Sequence, residues 1–119
     1  YLIVESTTSG LRPAVQRVLS ADDILTLQSL VLKVPAAPYV IRYATKLTRA
    51  TRPLPAAGEA AAPVPDFVKK YVSWGAGPRA GQSLILAAKA RALLNGRTYV
   101  STEDVKAVAP PVLRHRVMT

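Results

Sequence analysis

A tight turn followed by a long apolar helix is predicted by Gly75-Ala76-Gly77-Pro78-Arg79-Ala80-Gly81-Gln82-Ser83-Leu84-Ile85-Leu86-Ala87-Ala88-Lys89-Ala90-Arg91-Ala92-Leu93-Leu94-Asn95-Gly96. From Arg79 to Asn95 the positions are apolar almost all round, which is typical of a helix that is buried on most sides. Pro78 suits the first helical position, and Asn95-Gly96 suits a C-terminal cap. We therefore expect this helix to lie inside the fold.

Capping signals and apolar spacing predict further helices on both sides of this segment. Ser20 is followed by two acids and is a predicted N-cap, and apolar residues continue at helical spacing until Pro35 stops the helix. Pro38 opens an amphipathic helix that ends near Arg52-Pro53. Ser101, again followed by acids, caps another helix. The fold class is therefore all-α, a small helical bundle.

Shorter or irregular segments connect these helices. Residues 53–65 are rich in proline and alanine without periodicity, which predicts an exposed, mobile loop. Residues 67–74 are predicted to form a short helix, and residues 98–100 a short extended segment. Trp74 stands just before the glycine-containing turn, and its indole is expected to pack over that turn rather than stack on a ligand.

The C-terminal residues are predicted to break into two pieces. The helix capped by Ser101 is expected to run through Val108, and Pro110 and Pro111 then open a final segment at residues 112–117. His115, the single histidine, lies in that segment among arginines. We interpret it as a packing or hydrogen-bonding residue rather than a catalytic base.

Composition limits the classes of function. A length of 119 residues fits one domain, and the absence of cysteine excludes disulfides, thiolate metal sites and cysteine nucleophiles. No apolar run approaches the length of a membrane span, and the N-terminal residues do not resemble a signal peptide. We expect a cytoplasmic protein without a metal site of its own. The chain begins at Tyr1 inside an apparent helix, so we interpret it as a fragment of a longer protein.

The net charge of +9 leaves two interpretations open. Arg42, Lys46 and Arg49 form a basic stripe on one helix, which suits a nucleic-acid-binding domain. Only 6% of the residues are aromatic, so few side chains are available to stack on bases, and a solvated basic surface is the favoured interpretation.

No complete catalytic constellation is present. Asp22 with Asp23 and Glu103 with Asp104 are adjacent pairs that capping explains, and Gly81-Gln82-Ser83 lacks the lysine of a phosphate-binding loop. Arg79 is different, because an arginine in the first turn of a helix adds to a field that already favours anions. We interpret Arg79 as a contact for a phosphate or, alternatively, as the partner of an acid in a passive interaction bundle.

Taken together, the motifs resemble the C-terminal lid of MoxR-family AAA+ ATPases along nearly the whole chain. Five blocks match in order, and they are Val18-Leu19-Ser20-Ala21-Asp22-Asp23-Ile24-Leu25-Thr26-Leu27-Gln28, Leu47-Thr48-Arg49-Ala50-Thr51-Arg52-Pro53, Trp74-Gly75-Ala76-Gly77-Pro78-Arg79-Ala80, Asn95-Gly96-Arg97-Thr98-Tyr99-Val100-Ser101-Thr102-Glu103-Asp104-Val105 and Val112-Leu113-Arg114-His115-Arg116-Val117.

The resemblance implies specific roles at the turn. Arg79 would be the sensor 2 arginine that reaches the γ-phosphate of ATP, and Gly75, Ala76, Gly77 and Pro78 would form the ATP-binding turn that leads to it. The family commonly has serine at the position of Gly77, so this chain lacks a hydroxyl cap there.

For the whole chain, the resemblance implies a division into residues 1–19, the end of a truncated helix and a linker from an ATPase core, and residues 20–119, the lid with its loop. Mg²⁺ would be bound by the missing core, and the chain alone would not hydrolyse ATP. The intact protein would be a cytoplasmic ATPase with a chaperone-like role. Its partners would be its own core, neighbouring subunits of a hexameric ring and a von Willebrand factor A-domain protein.

Overall fold

The computed structural model describes residues 2–8, 15–54 and 64–119. Over these ranges the chain is all-α, with no strand and a single isolated bridge between Trp74 and Met118. The helices are α1 (Leu2–Thr8), α2 (Ala21–Lys33), α3 (Pro38–Ala50), α4 (Asp66–Tyr71), α5 (Pro78–Leu94) and α6 (Thr102–Leu113). The predicted fold class is therefore confirmed. Most of the predicted loop at 53–65 lies outside the described residues.

Local capping determines where α2 and α6 begin. Ser20 and Asp23 form a capping box in which the Asp23 N–H donates to Ser20 Oγ at 3.0 Å and the Ser20 N–H donates to Asp23 Oδ2 at 2.8 Å. Ser101 and Asp104 form the same arrangement at the start of α6. These bonds satisfy N–H groups that have no partner within the helix, so both starts follow from local sequence.

The core is built around α5, as its apolar composition predicts. Leu84 and Ala88 of this helix are fully buried, together with Val40 and Ala44 of α3 and Val105 of α6. Helix α5 packs against α2, α3 and α6, so it occupies the middle of the bundle.

The end of α5 confirms the predicted glycine cap. Gly96 has φ +68°, its N–H donates to the Leu93 carbonyl at 2.9 Å, and the Arg97 N–H donates to the Ala92 carbonyl at 2.9 Å. This pair of bonds defines a Schellman motif, which requires the left-handed conformation that glycine adopts without strain.

Helix α2 is attached to the bundle at its C-terminal end. Lys89 Nζ of α5 donates to the Leu32 carbonyl at 3.1 Å, and Val34, just after the helix, is buried. No residue of α2 itself is buried, and Leu25 and Leu32 are 62% and 66% exposed. The apolar spacing predicts the helix correctly, but its apolar side chains are not part of the core of this chain.

Helix α6 corrects the predicted break at Pro110 and Pro111, because one helix continues through both prolines to Leu113. Proline removes the N–H groups that would bond the carbonyls of Lys106 and Ala107 four residues earlier. Both of those residues are exposed, so water can satisfy their carbonyls. Packing of the buried side of α6 on α5 then keeps the segment helical.

Other sequence-based expectations are corrected around α4 and the C-terminus. Helix α4 ends at Tyr71, earlier than predicted, because the backbone of residues 73 and 74 turns to meet Met118. The indole of Trp74 is 69% exposed and does not pack over the turn. His115 is also exposed and makes no side-chain hydrogen bond within the described part of the chain, so its predicted packing role is wrong.

None of the described helices alone has the length and apolar composition of a membrane span, and only α2 and α3 taken together, bent by 96°, meet that criterion.

Candidate functional site

The glycine-containing turn lies between α4 and α5 and is anchored at its N-terminal end. The N–H groups of Ser73 and Trp74 donate to the Met118 carbonyl at 2.9 and 3.3 Å, and the Met118 N–H donates to the Trp74 carbonyl at 2.9 Å. The backbone before Gly75 is therefore fixed by the C-terminal residues, while the Trp74 ring remains outside.

The C-terminal end of α3 binds the centre of the turn. The Ala76 N–H donates to Thr51 Oγ1 at 2.9 Å, and Arg52 Nε donates to the Ala76 carbonyl at 3.1 Å. Ala76 itself is fully buried. Both backbone polar groups of Ala76 are thus satisfied by two consecutive residues of another element, as burial requires.

Gly75 permits this close approach. A Cβ atom at Gly75 would lie 2.5 Å from the Thr51 carbonyl oxygen and 2.6 Å from Arg52 Cα. These are backbone atoms that cannot rotate away, so only glycine fits. By contrast, a Cβ atom at Gly77 would meet nothing within 4 Å.

Helix α5 begins immediately after the turn, with Gly77 as its N-cap and Pro78 as its first residue. Gly77 has an extended backbone and contributes no side-chain cap. No acid lies in the first turn of the helix. The partial positive charge of the helix start is therefore not neutralised by a local side chain.

Arg79 is exposed and, within the described residues, makes no hydrogen bond or ion pair. The alternative role, in which Arg79 pairs with an acid such as Asp22, is therefore not seen among the described residues. A guanidinium presents a planar set of donors that matches a phosphate or carboxylate. The arrangement is chemically suited to bind an anion in front of α5.

A groove of about 760 Å³ lies beside the turn, between α3 and α5. Its walls include Ile41, Ile85 and Leu86, and the end next to Pro78 carries Arg52. The groove therefore combines apolar walls with positive charge at the end that faces the turn.

The most strongly bound acid in the described chain is structural. Asp104 is buried, and Arg97 donates hydrogen bonds to both of its carboxylate oxygens. Arg91 also lies close, with its Nε 3.6 Å from Asp104 Oδ1. The hydrogen bonds from Arg97 lower the pKa of Asp104 far below its ordinary value. Burial raises this pKa, but hydrogen bonds from Ser101 lower it further. A carboxylate held so firmly in its charged form is a poor general base at neutral pH.

The five residues predicted to form the site therefore lie together as one turn and one helix start. Sequence reasoning missed Thr51 and Arg52, which hold that turn. Both belong to the second of the matching blocks, but the block alone does not show what they touch.

The sequence and the fold of this chain are both similar to those of known proteins. Residues 66–119 match the family of AAA lid domains. The chain is 36% identical over 106 residues to Chaperone MoxR1 of Mycobacterium tuberculosis, a match that covers 89% of this chain and 26% of that protein. It is also 36% identical over 103 residues to Protein MoxR of Methylorubrum extorquens, covering 84% of this chain and 29% of that protein.

Among solved structures, a proposed ATPase from Cytophaga hutchinsonii superposes with a TM-score of 0.80 at 30% identity, over 98% of this chain and 34% of that one. The chain thus spans between about a quarter and a third of the length of these relatives. The all-α fold and the family match together identify a helical lid of the AAA class. Within that class, the chain belongs with the lid domains of MoxR-family AAA+ ATPases.

Proposed function

We propose that this domain is the sensor 2 lid of an intact MoxR-type ATPase, and that Arg79 contacts the phosphates of ATP held by the core of the same protein. One observation carries the proposal. Arg79 is exposed and has no partner among the described residues, although the turn that leads to it is firmly bound. An unpaired guanidinium on a fixed support is suited to stabilise charge that develops on a γ-phosphate.

The remaining residues of the turn support this role without chemistry of their own. Gly75 allows the close approach to α3, Ala76 is the buried anchor, and Pro78 sets the first helical residue. Within the described residues, no group of three or more His, Cys, Asp or Glu side chains is placed to hold a metal ion. The family resemblance implies that Mg²⁺ is bound by the ATPase core.

Activity and assembly of the whole protein are part of the same proposal and rest on the relatives. The intact protein would hydrolyse ATP, and this domain would move with nucleotide state and transmit it around a hexameric ring. A cytoplasmic chaperone-like role and a von Willebrand factor A-domain partner follow from the family resemblance. Residues 1–19 would connect the lid to the core, and the chain alone would be inactive because it contains no phosphate-binding loop.

The direct test is ATP hydrolysis by the full-length protein carrying Arg79→Ala. We expect kcat to fall by about 100-fold or more, since the lost contact is strongest in the transition state. Arg79→Lys keeps the charge but loses the planar donors, and it should recover only part of the rate.

Arg42→Ala is the matched control, because Arg42 is also an exposed arginine and lies on α3, away from the turn. It should hydrolyse ATP at the wild-type rate. If Arg79→Ala retained full activity while remaining folded, the sensor 2 assignment would be wrong.

A further inference from the structure

We infer that Thr51 and Arg52 are positioning residues that aim Arg79, by fixing the turn from which α5 starts. The inference rests on the proposed function of Arg79. It concerns a specific gap in this sequence, which is the absence of a hydroxyl cap at Gly77. The end of α3 holds this turn through hydrogen bonds to Ala76, which do not depend on a side-chain cap at Gly77.

The Thr51 hydroxyl is directed by two hydrogen bonds at once. It donates to the Thr48 carbonyl at 2.7 Å and accepts from the Ala76 N–H at 2.9 Å. Because the hydroxyl proton is used inside α3, a lone pair is left to face the turn. Thr51 is the C-cap of α3, so the position of Ala76 is fixed relative to a packed helix.

Arg52 binds the other backbone polar group of Ala76, its carbonyl. Its Nε donates to the Ala76 carbonyl at 3.1 Å, and this bond is partly buried. The arginine also lies against Gly75, where its Cα and Cγ would be only 2.6 and 2.8 Å from an added Cβ. Rotation of the turn is therefore blocked by packing as well as by hydrogen bonds.

Ala76, which Thr51 and Arg52 bind, is only three residues before Arg79 in the chain. Ala76 is followed by Gly77 as the N-cap and Pro78 as the first helical residue, and Arg79 is the next residue. Ala76 and Ala80, on either side of Arg79, are both fully buried. A small rotation at Ala76 would therefore displace the Arg79 guanidinium, and catalytic groups lose much of their effect when they move by about 1 Å.

Steady-state ATP hydrolysis by the full-length protein tests the inference. Thr51→Val keeps the shape of the side chain but removes the hydroxyl, and it should lower kcat by about 10-fold with little change in KM for ATP. Thr51→Ser keeps the hydroxyl and should restore kcat. Thr45→Val is the matched control, because within the described residues the only hydrogen bond of the Thr45 side chain is to the Ile41 carbonyl of α3, at 2.9 Å. It should hydrolyse ATP at the wild-type rate.

The double variant Thr51→Val with Arg79→Ala distinguishes a positioning role of Thr51 from a general loss of stability. If Thr51 acts through Arg79, then adding Thr51→Val to Arg79→Ala should change kcat by less than about 2-fold, because the contact is already lost. Equal losses in the two backgrounds, or an unchanged kcat in the single variant, would overturn the inference. Should Thr51→Val fail to fold, Arg52→Met replaces it in the same pair of measurements, since it removes the Nε donor and keeps most of the stem.

The two levels of the proposal fail in different ways. Full activity of Arg79→Ala contradicts the sensor 2 role and the positioning role together. An inactive Arg79→Ala beside a fully active Thr51→Val and Arg52→Met contradicts the positioning role alone.

Discussion

Gly75 and Gly77 are separated by one residue but have opposite surroundings. A side chain at Gly75 would meet the backbone of Thr51 and Arg52, whereas Gly77 opens onto free space with an ordinary extended backbone. The two glycines of the turn therefore serve different purposes. Gly75 allows two elements to touch, and Gly77 is a weak N-cap that a polar side chain could improve.

Substitution at these glycines should separate the two purposes. Gly75→Ala should lower the free energy of unfolding by about 2 kcal/mol, because the added methyl group overlaps backbone atoms that cannot move independently. Gly77→Ser should leave stability unchanged or raise it by a few tenths of a kcal/mol, since serine caps a helix better than glycine. Urea unfolding of both variants measures the difference, and equal stabilities would contradict the close packing at Gly75.

At the level of the elements, Asp104 at the start of α6 is both a capping residue and the partner of an arginine. Asp104 belongs to the Ser101 capping box and also receives two hydrogen bonds from Arg97, which follows the glycine that ends α5. One buried carboxylate therefore connects the end of α5 to the start of α6. The sequence identifies Asp104 as a capping acid, but nothing in its spacing indicates that Arg97 binds it.

Asp104→Asn should cost about 2 kcal/mol of stability, because it leaves the Arg97 guanidinium without its anionic partner. The pKa of Asp104 is lower in the folded chain than in the unfolded chain, so on acidification the unfolded state takes up the proton first. The stabilisation is therefore complete above about pH 5 and is lost as the pH falls below about 4.

Unfolding measured between about pH 6 and pH 2 checks this prediction, and Asp104→Asn should flatten the acid part of the profile. Glu103→Gln is the control, because Glu103 is exposed and, among the residues that the structure describes, pairs only with Lys106, at 2.7 Å. Glu103→Gln should lower the free energy of unfolding by less than about 0.5 kcal/mol. An acid profile that is the same in wild type and Asp104→Asn would show that the pair does not contribute to stability.

At the level of the whole molecule, apolar residues divide between a core and an exposed helix. Leu84 is fully buried in α5, whereas Leu25 of α2 is 62% exposed, although both residues lie in apolar helical patterns. The core is thus made by α3, α5 and α6, with α2 attached mainly through its C-terminal end.

Leu84→Ala should lower the free energy of unfolding by about 3 kcal/mol, from lost burial and the cavity that remains. Leu25→Ala should change it by less than about 0.5 kcal/mol, because its side chain is mostly in contact with water already. Chemical denaturation of the two variants makes the comparison. Similar losses would mean that α2 packs into the core of this chain.

Local chemistry explains what could be predicted from the amino-acid sequence. Helix starts at Ser20 and Ser101, the proline starts of α3 and α5, and the Gly96 cap depend on residues within a few positions of one another. The contiguous turn that presents Arg79 is local for the same reason. Each of these features was therefore readable without knowledge of the tertiary fold.

Contacts between distant residues decided the rest. Thr51 and Arg52 meet Ala76 across about two dozen residues, and the backbone of Trp74 pairs with Met118 while its side chain stays exposed. Helix α6 continues through two prolines because it packs on α5. Periodicity shows that a helix has an apolar side but does not show what covers it. The exposure of the apolar residues of α2 could therefore not be predicted from the sequence. The sequence supplied the arginine and its turn, whereas the fold determined what holds them in place, because that hold is formed by an element from elsewhere in the chain.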